Sequence, residues 1–452
     1  MKQQNSTRKS QKPIVLLLFI LIATIAFSPL FRAEWLNWDD SYQVFNNPLV
    51  TGLSFKTVPE LFSSFVMGMY QPLTSVLYGI EYSLWGDSAL GYHMISLLLH
   101  LFNTLLLFQI LKHFTDRNDI ALIAVALFAI HPVMAEPVLW ISSRSTLWFS
   151  LFYLLSVNQY IKLKEHSNLK NITLVVLYGL LSMLSKASAI TLPVVLLLMD
   201  LFLYRDQLKR LHPEKVILFA FSIAFGIVVL HSRESWQTLT TDLENAYSLP
   251  EQLALSGGSL LLSLKNIVFP LFLSPYVAYP SPATNLTAWY ILAVIAAGIL
   301  VAGIIFRHKI PELLFGYLFF LIQMGLTLPM FFISRQFIAD RYLYLSVGVI
   351  IFTILHFLNR KNLLAKKGTF YIASAIIAIA FVLLTRQQAT YRTGSIRLWS
   401  AVIDHGHPEA QVYMLRADAY IQGNKPAEAL DNYTKAIEMN PEDFMAYVNR
   451  AF

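Results

Sequence analysis

The chain has 452 residues, of which 56% are apolar and 13% charged, with a formal net charge of +7 and no cysteine. A soluble domain carries about 25% charged residues, so this composition excludes an ordinary soluble enzyme and predicts an all-α, polytopic membrane bundle, because apolar runs of about twenty residues recur. The missing cysteines exclude disulfides and thiolate metal sites, and the Lys and Arg residues form short clusters between apolar runs, the mark of basic loops kept inside rather than of nucleic-acid binding.

The first thirteen residues hold Lys2, Arg8, Lys9 and Lys12 and no acid, and Ile14 to Phe31 is then apolar. That run is longer than a usual signal-peptide core and lacks a small-x-small cleavage site. It reads as a retained first helix with a cytoplasmic N-terminus. Glu34-Trp35-Leu36-Asn37-Trp38-Asp39-Asp40 follows directly, which places two adjacent carboxylates on the far side of the membrane. Residues 33–92 make a first extracytoplasmic loop. Within it, Leu73 to Trp85 is aromatic, interrupted by Glu81 and too short to span, which suits a helix lying in the interface.

Further spans run from about Met94 to Leu111, from Ile120 out to His131-Pro132, and from Leu147 back to Lys162. Residues 171–204 are apolar with one polar break at Ser185-Lys186-Ala187-Ser188 and basic residues at both ends. That pattern predicts two short spans with Lys186 near the outer turn. Val216 to Leu230 goes out again, and Ser232 to Glu251 is polar and loop-like. Leu253 to Leu273 is apolar but carries Gly257, Gly258, Lys265, Asn266 and Pro270. If it crossed, Arg307-His308-Lys309 and Arg360-Lys361 would lie outside, so 253–285 is placed along or partly into the outer face. Spans at 286–306, 311–332, 342–358 and 369–385 bring the total to about eleven and leave the C-terminus outside.

After Arg386 the apolar character ends. Tyr413 recurs at Tyr447 and Arg416-Ala417 at Arg450-Ala451, a period of 34, with Ala417, Tyr420, Gly423, Ala429, Tyr433, Ala436 and Asn440-Pro441 at the offsets of a tetratricopeptide repeat. Two domains are therefore expected: 1–390, the membrane domain, and 391–452, an extracytoplasmic repeat segment. Such repeats bury their faces on neighbours, and only one is complete, so the chain is expected to be a fragment of a longer protein.

The ordered motifs carry a resemblance. They are Asn37-Trp38-Asp39-Asp40, Gln71-Pro72-Leu73-Thr74, Gly91-Tyr92-His93, His131-Pro132 with Glu136-Pro137-Val138, Trp140 and Arg144, Leu184-Ser185-Lys186, Tyr279-Pro280, and Ala339-Asp340-Arg341-Tyr342. In this order they resemble bacterial membrane proteins with C-terminal tetratricopeptide repeats, related to the transmembrane-and-tetratricopeptide O-mannosyltransferases, which are C-type glycosyltransferases. The pattern departs at Ser142, Ser143, Ser145 and Thr146, where the family has charges around the arginine, and at Ala187. The resemblance implies a C-type glycosyltransferase bundle that moves a sugar from a polyprenyl-phosphate donor to a hydroxyl acceptor, a protein Ser or Thr, outside the cytoplasm of a bacterial inner membrane. The bilayer, the lipid-linked donor and a protein or peptide held by the repeats are its implied partners.

Such a transfer needs a base for the acceptor hydroxyl. The resemblance gives that role to Asp39, with Asp40 orienting it; the plainer account is a carboxylate pair solvated at the interface. The phosphate leaving group needs cations, for which planar guanidinium suits best. Arg341, Arg144, Lys186 and Arg335 all fall at one outer depth, where ionisable groups face a cavity or a partner unless they snorkel. His93 and His100, seven apart, share a helix face, and His131 and Glu136 end the third span as supporting residues. No HxxxH or HExxH spacing exists, so buried histidines satisfied by neighbours are the plain account. No cofactor is expected. A divalent metal on Asp39 or Asp40 is an option that the clustered cations make unnecessary. Two other readings stand beside this one: a non-catalytic scaffold whose repeats recruit envelope proteins, and a ligase or flippase for lipid-linked glycans.

Overall fold

The structure, a computed structural model, describes residues 20–205, 212–234, 246–331 and 336–451. Among these the fold is helical throughout, with two isolated antiparallel bridges, Val66 to Met69 and Val277 to Ile338, in place of any sheet.

Residues 20–26 close the first helix, α1, which ends in a tight turn, Ser28–Arg32. The loop beyond it carries α2 (Pro48–Thr51) and α3 (Thr57–Ser63), then α4 (Pro72–Trp85). Proline at the start of α4 is preorganised for a helix, and Gly86, at φ +52°, stops it. A helix forms over the expected Leu73 to Trp85 stretch, and its one acid turns inward. Tyr78 and Glu81 are buried, because Glu81 meets the guanidinium of Arg144. Next come α5 (Ala89–Leu111) and α6 (Asn118–Ala129). His131-Pro132 breaks α6, and the chain resumes as α7 (Ala135–Leu139), bent by 49°.

The bundle continues with α8 (Ser145–Glu165), α9 (Leu169–Ser185), α10 (Leu192–Leu203), α11 (Pro213–Glu234), α12 (Leu249–Val268), α13 (Thr287–Ile305), α14 (Pro311–Met324), α15 (Tyr344–Arg360) and α16 (Lys367–Tyr391). Six of the described helices are long and apolar enough to cross a membrane: α5, α11, α13, α14 with the turns after it, α15 with the turn before it, and α16. The bent α6–α7 pair makes a seventh if taken as one span. The protein is thus a multi-pass membrane protein, and among the described residues fewer helices have full spanning length than the apolar runs suggested. At 1.5 Å per residue, α9 and α10 reach only about 26 and about 18 Å, short of a core about 30 Å thick.

The loop expected over Ser232 to Glu251 is shorter than its composition implied. Helix α11 runs to Glu234, and α12 opens at Leu249 under a capping box formed by Ser248 and Glu251. Residues 235–245 lie outside the described part. Helix α12 is tied to the rest of the bundle at two places. Ser256 accepts the Met330 N–H beyond α14, while at the other end Asn266 donates to Asp340 before α15 and the Ile267 carbonyl bonds His131. Gly257 and Gly258 let it approach α13, since a Cβ there would stand 2.4 Å from Ala293 and 2.3 Å from Trp289.

Beyond α16 come α17 (Ser395–Asp404), α18 (Ala410–Gln422), α19 (Pro426–Met439) and α20 (Phe444–Ala451). Helices α18 and α19 form a hairpin closed over Ala417, Ala429 and Tyr433. Helix α17 buries Leu398, Trp399 and Val402 against Leu36, Trp38 and Trp140, so the C-terminal segment sits directly on the first loop.

Candidate active site

The two adjacent aspartates have different surroundings. Asp40 is fully buried, and its carboxylate accepts the Leu36 N–H at 2.9 Å, the Ser142 N–H at 2.9 Å and the Ser142 hydroxyl at 2.6 Å. Burial pushes its carboxyl up, opposed by the bonds from Ser142 and Leu36. Asp40 therefore fastens the first loop to the turn Ile141–Arg144. Asp39 accepts no side-chain hydrogen bond among the described residues. Burial pushes its carboxyl up to about 7, the Arg341 charge opposes this, and the Asp40 charge adds to it. A carboxyl that titrates near neutral pH and is left unbonded is a competent general base.

Arg341 lies in the turn Asp340–Leu343 that leads into α15. Its Nη1 donates to Glu136 Oε1 at 2.5 Å and also to Gln336, its backbone N–H donates to Glu136 Oε2 at 3.1 Å, and its Nη2 donates to the Tyr342 hydroxyl at 3.3 Å. The guanidinium lies 4.7 Å from the Tyr342 ring centre and 5.1 Å from that of Trp140, within cation–π range. Lys186 caps α9, with its Nζ donating to Thr146 at 2.6 Å and lying 5.4 Å from the Tyr342 ring. Burial pulls its ammonium down to about 7, Arg341 lowers it further, and Glu136 opposes. The charges of Asp39 and Arg341, and those of Lys186, Arg341 and Glu136, thus act on one another. Two cations, and a carboxylate that holds one of them, meet where α7 and α15 begin and α9 ends, with the Asp39 charge acting on Arg341.

Arg144 is not part of this group. It is fully buried, ion-paired with Glu81, and bonded to Ser96 at 3.0 Å and the Tyr92 carbonyl at 2.8 Å, with its guanidinium 5.4 Å from both the Tyr78 and Tyr92 rings. The expectation that it binds donor phosphate is corrected: these partners enclose it and leave it no exposed face. Arg335 lies outside the described residues. His100 bonds Tyr344 at 2.8 Å and the Ala129 carbonyl at 2.9 Å, and His131 bonds the Ile267 carbonyl at 3.0 Å. Both are committed to holding helices together, and His93 is buried on the same face of α5 as His100. Among the described residues no group of three His, Asp or Glu is arranged to hold a metal. Glu136 acts by gripping Arg341.

Several residues of the site were not singled out from the sequence. Trp140 stacks on Trp38 with ring centres 4.2 Å apart, and Trp399 meets Trp38 edge-on at 5.1 Å. Tyr342 lies against both cations. Asp340 and Arg392 are buried beside Glu136 and act on it electrostatically. Trp140 and Tyr342 fall inside recognised motifs, which was the available signal. Arg392 had none, because it stands past the last apolar run.

The chain matches no family model. It is 24% identical to a protein O-mannosyl-transferase of Caenorhabditis elegans over 94% of its own length and 63% of that protein. It is 23% identical to a Drosophila melanogaster protein O-mannosyl-transferase over 84% of this chain and 49% of the other. A Xenopus laevis protein O-mannosyl-transferase is 29% identical over 37% of this chain and 22% of its own. The chain thus spans less than two thirds of the curated relatives it matches. Among solved structures, the oligosaccharyltransferase of Archaeoglobus fulgidus aligns with a TM-score of 0.45 at 12% identity, over 92% of this chain and 56% of that one. The fold and the sequence define a multi-pass, all-helical membrane protein. Its homologues are the transmembrane-and-tetratricopeptide protein O-mannosyltransferases.

Proposed function

We propose that this protein is a C-type glycosyltransferase that moves a hexose, mannose by analogy with its relatives, from a polyprenyl-phosphate donor to a protein Ser or Thr hydroxyl. The observation that carries the reading is the unbonded Asp39 carboxyl set against the charge of Arg341, which shares the Tyr342 ring with Lys186. Asp39 takes the proton of the acceptor hydroxyl as its oxygen attacks the anomeric carbon. The bond from that carbon to the phosphate oxygen breaks, and the polyprenyl phosphate leaves with the bonding pair. Arg341 and Lys186 neutralise the departing phosphate, so the reading requires no metal. Glu136 keeps Arg341 from swinging out when the site is empty.

In this reading the basic loops face the cytoplasm of a bacterial inner membrane, and the site and C-terminus face outward. About eleven membrane-embedded segments, counting the short α9 and α10, carry the chain across. The C-terminal helices are tetratricopeptide repeats that hold an acceptor chain near the site, as concave repeat arrays do. A scaffold would have no use for a part-buried, unbonded acid under the charge of Arg341. The test is transfer in proteoliposomes from polyprenyl-phosphate mannose to Ser- and Thr-containing peptides. Product formation that requires both substrates supports the reading, and its absence with donors of several sugars and lipid lengths removes it.

A further inference from the structure

Asn37 stands two residues before Asp39, and its polar contacts all reach the C-terminal segment. Its N–H donates to the Ser395 hydroxyl at 2.9 Å, its Nδ2 donates to the Leu415 carbonyl at 2.7 Å, and its Oδ1 accepts the Trp399 indole N–H at 2.8 Å. Three residues earlier, the Glu34 N–H donates to the Thr393 carbonyl at 3.1 Å. Trp38, between Asn37 and Asp39, packs on Trp399. On the other side of Asp39, Asp40 is bonded to Ser142. The backbone at Asp39 is therefore held from two directions. The C-terminal helices hold it through residues 34–38, and the turn before α8 holds it through Asp40. Neither anchor bonds the Asp39 carboxylate itself.

This arrangement exceeds what tethering requires. A flexible linker after α16 would keep acceptor-binding helices near the site without any contact to the loop. Here α17 and α18 instead satisfy the backbone N–H of a single loop residue at one point and its side-chain amide at two. Losing any of those partners leaves a part-buried polar group unpaired and frees the loop beside the base. We infer that Asn37 is a positioning residue through which the C-terminal helical segment sets the place of the Asp39 carboxylate, which makes that segment a working part of the catalytic centre. The inference rests on the reading of Asp39 as the base. It also gives a route by which an acceptor bound to those helices shifts the base, since both engage the same helical segment.

The test uses the full chain in proteoliposomes, with kcat, donor KM, pH profile and melting temperature measured together. Asn37→Ala and Trp399→Phe each remove part of the latch. Ser395→Ala removes the acceptor for the Asn37 N–H, whereas Ser395→Thr keeps a hydroxyl there. Glu165→Ala, which breaks an exposed pair with His113 away from the site and the C-terminal helices, is the control. A displaced base loses rate, of the order of 10–100-fold for a shift near 1 Å. The expected result is that loss in kcat for Asn37→Ala, smaller losses for Trp399→Phe and Ser395→Ala, recovery in Ser395→Thr, and a displaced acid limb, with donor KM within about twofold. If Asn37→Ala does not fold, Trp399→Phe and the Ser395 pair carry the same comparison. Wild-type kcat in these variants while Asp39→Asn abolishes transfer overturns the inference and leaves the base in place. Wild-type kcat in Asp39→Asn as well overturns both. Losses that track melting temperature alone, or donor KM alone, show a structural or binding role and overturn the inference.

Discussion

Trp38 and Trp140 lie face to face, ring centres 4.2 Å apart and planes 15° from parallel. The contact joins the loop that carries Asp39 to the turn that follows α7, and Arg341 lies 5.1 Å from the same Trp140 ring. One indole thus touches both the neighbour of the base and the cation. Trp140→Ala should lower kcat/KM by at least about tenfold, because both groups lose a wall. Trp140→Phe should retain most of it. Steady-state kinetics of the two variants check this, and equal activity in both would remove Trp140 from the site.

Asp39 links pH to rate and to stability with opposite signs. The rate should rise with pH through about 7 as the carboxyl ionises. Folded Asp39 titrates near 7 and the unfolded chain near 3.8, so the unfolded state ionises first. Stability is therefore lost as pH rises between those values and stays lower above them. Asp39→Asn should raise the melting temperature, by more at pH 8 than at pH 5. A gain independent of pH would show that the carboxyl is not held neutral by burial.

Arg341→Ala should raise the donor KM by roughly tenfold or more, since a charge-assisted phosphate contact is worth about 1.5–3 kcal/mol. Arg341→Lys should recover part of the loss but not the planar grip on Glu136. Donor titrations at saturating acceptor measure both. An unchanged KM in Arg341→Ala would assign the phosphate to other groups.

Arg144→Ala should act on the fold. Removing one member of the buried pair with Glu81 costs about 3–5 kcal/mol, so the melting temperature should fall sharply while the folded fraction keeps its donor KM. A raised donor KM at unchanged melting temperature would return Arg144 to phosphate binding.

How much of this was legible before the structure differs by residue. Apolar runs and basic clusters located the helices and set Asp39, Lys186 and Arg341 at one depth, because burial in a bilayer constrains every side chain along a span. Depth alone does not separate a cation that faces a cavity from one enclosed behind it. Arg144 and Lys186 looked alike until Glu81, 63 residues before Arg144, was seen to close on the former. Asp39 and Asp40 are likewise indistinguishable in sequence. Ser142, brought in from 102 residues away, shows together with the Leu36 N–H which one is tied down. Local signals that were present, such as the Ser248–Glu251 capping box, were outweighed by the polarity around them. The latch on Asn37 joins positions more than 350 residues apart, and no periodicity records such a contact.

The central claim is that Asp39 is the base of a transfer from a lipid phosphate. Its most direct test is Asp39→Asn in proteoliposomes, with sugar transfer to peptide and retention of radiolabelled polyprenyl-phosphate mannose measured on the same preparation. The account predicts a fall in transfer of at least about a hundredfold, with donor retention unchanged. Transfer near the wild-type rate in that variant would contradict it.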